Sequence, residues 1–263
     1  MKTQNTLPKA IELFRQGMHY QSLQQISQIL KLHPDEGKAW ELKGLIEDTL
    51  SCQHMSIRSL ETATTLIPIS ASGQYVLAKN YLIIGKRSLA KSIFSILLQR
   101  TDIPEKLLPA ISSYLGQYPD MAHIALEACR KAVQLNPENG ESWLGTAYFM
   151  GKVGHPKKHI ANVLRKAVSL DPENHYYRLA LGNLLEQTGQ VDEAYLVIKG
   201  IRNSDLSKIP CSECLTKLIT IFSLAEDNSR RKICLEKLKQ LQMSKIQVPP
   251  EIFPNRFTDS LNK

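Results

Sequence analysis

The side chains whose types and spacing could do chemistry are few and scattered. Cys211-Ser-Glu-Cys214, followed later by Cys234, has the spacing of half a zinc site, but a tetrahedral site wants four ligands and no fourth can be placed. His155 and His159 stand four apart across Pro156, Lys157 and Lys158. Two lysines oppose a divalent cation and no carboxylate follows, so these histidines read as exposed residues of a turn. Gly85-Lys86-Arg87 echoes the end of a phosphate-cradling loop, yet Asn80 stands where its first glycine belongs. No serine, histidine and acid gather about a glycine-rich elbow, and no paired carboxylates lie in a polar run. The expectation is a chain that is not an enzyme and carries no metal or cofactor, in which Cys211 and Cys214 simply open a helix.

The elements that would position any site are helical. Of 263 residues 43% are hydrophobic but only 6% aromatic, and the mixture is rich in helix formers and poor in the β-branched and aromatic runs that strands favour. An all-α chain is predicted. The formal charge of +8, with a pI of about 9.2, brings nucleic acid or an anionic surface into consideration. Much of the excess falls late, in Arg230, Arg231, Lys232, Lys237, Lys239 and Lys245 against Glu236, and reads as the solvated face of a terminal helix. That stretch has no aromatic on which a base could stack, which disfavours nucleic acid as the partner. Five scattered cysteines and a start, Met1 to Lys9, without an apolar signal core point to a reduced, cytoplasmic chain. No run approaches the roughly 20 apolar residues of a membrane span, so no membrane partner is expected.

Internal repetition organises the chain. Ala63-Thr-Thr-Leu66-Ile-Pro68 returns as Ala132-Val-Gln-Leu135-Asn-Pro137 and Ala167-Val-Ser-Leu170-Asp-Pro172, with Leu32-His-Pro34 as a shorter echo. The prolines fall at intervals of 34, 69 and 35 residues, and Pro104 lies within the double interval, so the period is about 34. Small residues at Gly44, Ala78, Ala147 and Gly182 let paired helices approach, and Ala63, Ala132 and Ala167 let each pair meet the next. Gly17, Gly85, Gly154 and Gly189 fall where a first helix must end in the left-handed conformation. Asn136 and Asp171 are expected to cap the next helix, with Pro137 and Pro172 at its first position.

That period and those marks resemble the tetratricopeptide repeat. Residues 37 to 70 match most fully, with Trp40, Gly44, Ser56, Leu60, Ala63 and Pro68. Residues 140 to 174 keep Trp143, Ala147, Gly154, Leu164, Ala167 and Pro172, with one extra residue around His155-Pro156. The resemblance covers residues 3–208 as six repeats: 3–36, 37–70, 71–104, 105–139, 140–174 and 175–208. Residues 3–36 and 105–139 fit less well, the latter because Pro109 and Pro119 obscure its first helix. It implies a right-handed α-solenoid, closed by a degenerate seventh pair at 209–245 as a cap, with helices near Ser212–Ala225 and Ser229–Gln242. Residues 246–263, with Pro249, Pro250 and Pro254, are read as an extended or disordered tail.

In this family the first helices line a concave groove. Carried onto this chain, that frame makes Tyr75, Lys79, Tyr114, Tyr148, Lys152, Tyr176 and Asn183 the partner-binding residues, with Ser113 as the alternative to Tyr114. Asp48 and Leu45 belong to the same face. Lys79 and Asn183 are three repeats apart, so the set that clamps a terminal carboxylate in some members is not reproduced. Tyrosine offers area with few torsions to freeze, which suits a protein or peptide partner bearing acidic and apolar side chains. The function implied is a non-catalytic interaction scaffold or assembly factor. The alternatives are a regulatory array of, or beside, an enzyme such as a sulfotransferase or glycosyltransferase, and nucleic-acid binding by the basic terminal helix.

Overall fold

The structure is a computed structural model and describes residues 6–245, so the predicted tail at 246–263 lies outside the described residues. Its contacts divide the chain into two compact units at Ile111/Ser112. The first holds α1 (Leu7–Arg15), α2 (His19–Leu32), α3 (Gly37–Thr49), α4 (Gln53–Leu66), α5 (Ala71–Ile83) and α6 (Arg87–Gln99). The division falls inside α7 (Leu107–Leu115). The second unit continues with a 3-10 turn (Pro119–Met121), α8 (Ala122–Leu135), α9 (Gly140–Lys152), α10 (Lys157–Leu170), α11 (His175–Glu186), α12 (Val191–Ile198), α13 (Asn203–Leu206), α14 (Ser212–Leu224) and α15 (Asn228–Lys245). The chain is all-α; no strand occurs among the described residues.

Helices pack in consecutive pairs: α1 on α2, α3 on α4 and α5 on α6 in the first unit, α9 on α10, α11 on α12 and α14 on α15 in the second. One turn recurs in these pairs. A residue at positive φ ends the first helix, and the next N–H bonds back to a carbonyl five residues earlier, the double-bonded C-terminal motif that satisfies otherwise orphaned carbonyls. The bonds are Met18 to Leu13, Cys52 to Glu47, Lys86 to Tyr81, His155 to Met150, Gln190 to Leu185 and Asp227 to Phe222. Glycine holds the left-handed place at 17, 85, 154 and 189, but Ser51 (φ 59°) and Glu226 (φ 56°) hold it in α3–α4 and α14–α15. The last pair therefore repeats the turn after losing its glycine.

A second recurring bond closes the loops between pairs. The indole Nε1 of Trp40 donates to the Pro34 carbonyl, and that of Trp143 to Pro137, both at 2.8 Å; Arg178 Nε takes the same role on Pro172 at 2.6 Å. Small residues sit where the period demands them. A Cβ on Gly44 would stand 2.6 Å from Leu60 Cγ, and one on Gly182 would stand 2.4 Å from Ile198 Cγ2, while Ala63, Ala132 and Ala167 are buried. Ser22 and Ser56, also buried, donate from the second helix to the Ala10 and Gly44 carbonyls at 2.7 and 2.8 Å. These bonds leave no buried hydroxyl donor unpaired at the closest approach.

Two expectations are corrected. Asn136 and Asp171 do not cap the following helices: they end the preceding ones, and an intervening turn moves the caps to Asn139 and Asn174, which accept from Ser142 N–H and Tyr176 N–H. Pro137 and Pro172 thus lie in the loop and not at a first helical position. The sixth second helix, α12, stops at Ile198, and a separate short α13 follows. At that stop Arg178 Nη1 donates to the Val197 carbonyl at 2.8 Å and lies where a side chain at Gly200 would clash. The extra residue near His155-Pro156 is where expected: α10 begins three residues past the left-handed Gly154, whereas α2, α4 and α6 begin two past the left-handed Gly17, Ser51 and Gly85.

Candidate partner-binding surface

In the first unit the predicted groove residues come from the first helices of successive pairs. Tyr75 on α5 is half-buried, its ring edge-on to Phe94 at 6.3 Å, and burial followed by the Asp48 charge raises its hydroxyl above the usual range. Lys79 Nζ, one turn along α5, lies 2.6 Å from Asp48 Oδ2 on α3, with the two side chains 22% and 11% exposed. Lys79 was expected to meet an acidic partner. Its charge is answered within the chain by a carboxylate of the neighbouring first helix, and the pair ties the two helices together instead.

The second unit gathers more. Tyr114, in the last turn of α7, packs its ring on Tyr118 at 5.6 Å with the two hydroxyls 3.3 Å apart. Tyr118, Leu115, Gly116, Pro119, Ala122, Phe149 and Lys152 line a small cavity of about 40 Å³. On α9, Tyr148 meets Phe149 edge-on at 4.9 Å, and Lys152 Nζ stands 5.5 Å over the Tyr148 ring. An ammonium over an aromatic face is attracted by the ring quadrupole while keeping its solvent-facing donors. Lys152 is exposed. Of the candidates, Lys152 lines this concavity together with Tyr118, while Tyr114 packs on Tyr118 and the Tyr148 ring lies beneath Lys152. The i,i+4 spacing from Tyr114 could have found Tyr118, had Pro119 not marked it as belonging to a helix end.

The remaining two candidates behave differently. Tyr176 stands 57% exposed at the start of α11 with its ring 4.1 Å from that of His175. Asn183, expected on the open face, is only 6% exposed, and its Oδ1 has no hydrogen-bond partner among the described residues. Asn183 thus lies within the packing of α11, whose neighbours are α10, α12 and α14, and not on an open face.

The other flagged residues are engaged locally. His155 Nε2 lies 3.5 Å from Arg130 Nη2, and among the described residues no three His, Cys, Asp or Glu side chains converge as a metal site. Arg230 is bonded to Asp227 at 2.8 Å and to the Lys199 carbonyl, while Lys232 and Lys239 of α15 are exposed. No helix among the described residues is long and apolar enough to cross a membrane.

No protein-family model and no curated sequence matches the chain. Solved structures do. The C-terminal part of a TPR repeat-containing protein from Cytophaga hutchinsonii superposes with a TM-score of 0.69 at 11% identity, covering 91% of this chain and 96% of that one. YrrB, described as a TPR protein with an unusual peptide-binding site, gives 0.52 at 14% identity over 81% of this chain and 97% of its own. A chain from Naa15/Naa10 bound to HypK-THB gives 0.61 at 13% identity, covering 92% of this chain and 39% of that one. The chain has the tetratricopeptide-repeat fold.

Proposed function

We propose that this chain is a non-catalytic scaffold that holds a partner protein or peptide against the first-helix face of its second unit. The observation that carries this is a small concavity lined by Tyr118 and Lys152, with Tyr114 packed on Tyr118 and the Tyr148 ring beneath the Lys152 ammonium. Aromatic rings with polar tips and one exposed cation suit an acidic and apolar segment, because rings supply contact area and the ammonium selects charge. Tyr176 adds to the surface within the second unit, and Tyr75 is a separate candidate in the first. The helix pair α14–α15 is taken as the cap of the second unit, its face of Lys232, Glu236 and Lys239 turned to solvent as terminal repeats require. We place the protein in the cytoplasm. The peptide site of YrrB and the assembly of Naa15/Naa10 with HypK-THB support an interaction role for this fold.

Affinity capture from the native host with the wild type and a Tyr148→Ala/Lys152→Glu variant, read by quantitative mass spectrometry, tests the reading. A partner retained by the wild type and by Lys232→Ser but lost from the double variant is expected. Identical capture by wild type and double variant contradicts it.

A further inference from the structure

The Cys211-Ser-Glu-Cys214 segment is not used by the partner surface. Cys211 is the N-cap of α14, and its Sγ accepts the Cys214 N–H at 3.1 Å, a place where an oxygen acceptor ordinarily sits. The two thiols stand three residues apart at the start of α14, within one helical turn. Their exposures differ: Cys211 is half-buried and Cys214 is 7% exposed. One sulfur is thus open to a reagent and the second is held behind it. We propose that Cys211 and Cys214 form a thiol–disulfide exchange site, in which Cys211 attacks a low-molecular-weight disulfide and Cys214 resolves the product.

The electronics agree with that division. The Cys214 hydrogen bond, joined by backbone N–H groups, outweighs burial and pushes the Cys211 thiol down to about 6. Cys214 is driven up by its bond to Cys211 and then by burial, so it stays protonated until the first step is complete. Glu213 and Lys217 flank the pair and answer each other as an ion pair at 3.1 Å. Burial pushes Cys129 up to about 11 and Cys234 up to about 12, which leaves both unreactive. In the first step the Cys211 thiolate forms a bond to one sulfur of the disulfide and expels the other half as a thiolate. Cys214 then loses its proton to that thiolate and attacks Cys211 Sγ, expelling the second half. The protein pair gives up two electrons, and the disulfide is reduced to two thiol equivalents.

The full chain, equilibrated with mixtures of oxidised and reduced glutathione, acid-quenched, alkylated and digested with trypsin, tests this. Both cysteines fall in one peptide, Ile209 to Lys217. That peptide is expected two hydrogens lighter and unalkylated, while Cys129 and Cys234 remain alkylatable, and Cys214→Ser should retain glutathione on Cys211. At pH 6 Cys211 of the folded wild type should alkylate roughly tenfold faster than in the urea-unfolded chain. Its larger thiolate fraction, against an unfolded thiol near 8.5, outweighs its lower nucleophilicity. This comparison needs no variant. Separate glutathiones on the two cysteines, thiols that persist throughout, or equal folded and unfolded rates would each overturn the proposal.

Discussion

The Lys79 ammonium on α5 and the Asp48 carboxylate on α3 meet at 2.6 Å, binding the first helices of two successive pairs across 31 residues of sequence. Both belong to the face read as a groove, yet they answer each other. The exposed cation offered to an acidic partner by the candidate residues is therefore Lys152, in the other unit.

That pairing is testable by exchange. With both side chains largely covered, Lys79→Ala should cost about 1–2 kcal/mol, between the small value of an exposed pair and the larger cost of stranding a buried charge. The swap Lys79→Asp with Asp48→Lys should recover most of that loss in thermal unfolding. A swap no more stable than either single change would show that the pair contributes nothing.

The turn motif predicts opposite signs at two matched positions. Ser51 holds a left-handed backbone at φ 59° and Gly85 holds it at φ 80°. A side chain there costs roughly 1–2 kcal/mol, so Gly85→Ala should destabilise by about that much and Ser51→Gly should stabilise by somewhat less, since glycine also loosens the unfolded chain. Urea unfolding reads both; a destabilised Ser51→Gly would break the assignment.

Ala63 is fully buried and its neighbour Thr64 is exposed on the same helix. Ala63→Leu should cost roughly 1–3 kcal/mol by overpacking, and Thr64→Leu should be near neutral. Equal melting temperatures would place the interface between pairs elsewhere.

Asp227 supplies a pH dependence. Burial alone would raise its carboxyl, but bonds from the Arg230 guanidinium and N–H and from the Tyr195 hydroxyl carry it below its ordinary 3.8. A depressed folded value gives stability that is present above the unfolded value and lost as pH falls through the folded one. Asp227→Asn should thus be less stable than wild type at pH 7, with the gap closing below pH 4. A gap independent of pH would assign the effect to shape and not to charge.

The fold was legible because its marks are local. Gly17, Gly85, Gly154 and Gly189 each hold the turn that the period assigned them, and Gly44 and Gly182 sit at close approaches. The caps were misplaced because Asn136 and Asn139, like Asp171 and Asn174, are equally good acceptors three residues apart, and only backbone path chooses between them. The candidate surface was less legible, since it depends on contacts between helices. Nothing local to Asn183 reveals that it is buried, nor does Lys79 reveal Asp48. Tyr118 follows a helix end in sequence and still packs against Tyr114.

The most direct test of the central claim is a binding isotherm, by calorimetry, for a partner recovered by capture, measured with the wild type, Tyr148→Ala, Tyr118→Ala and the α15 variant Arg231→Ser/Lys232→Ser/Lys239→Ser. Each tyrosine change is predicted to weaken affinity about tenfold or more with helicity retained, as expected for aromatic anchors, while the α15 variant binds as the wild type does. Undiminished affinity in both tyrosine variants together with loss in the α15 variant would contradict the account and move the site to the basic terminal helix.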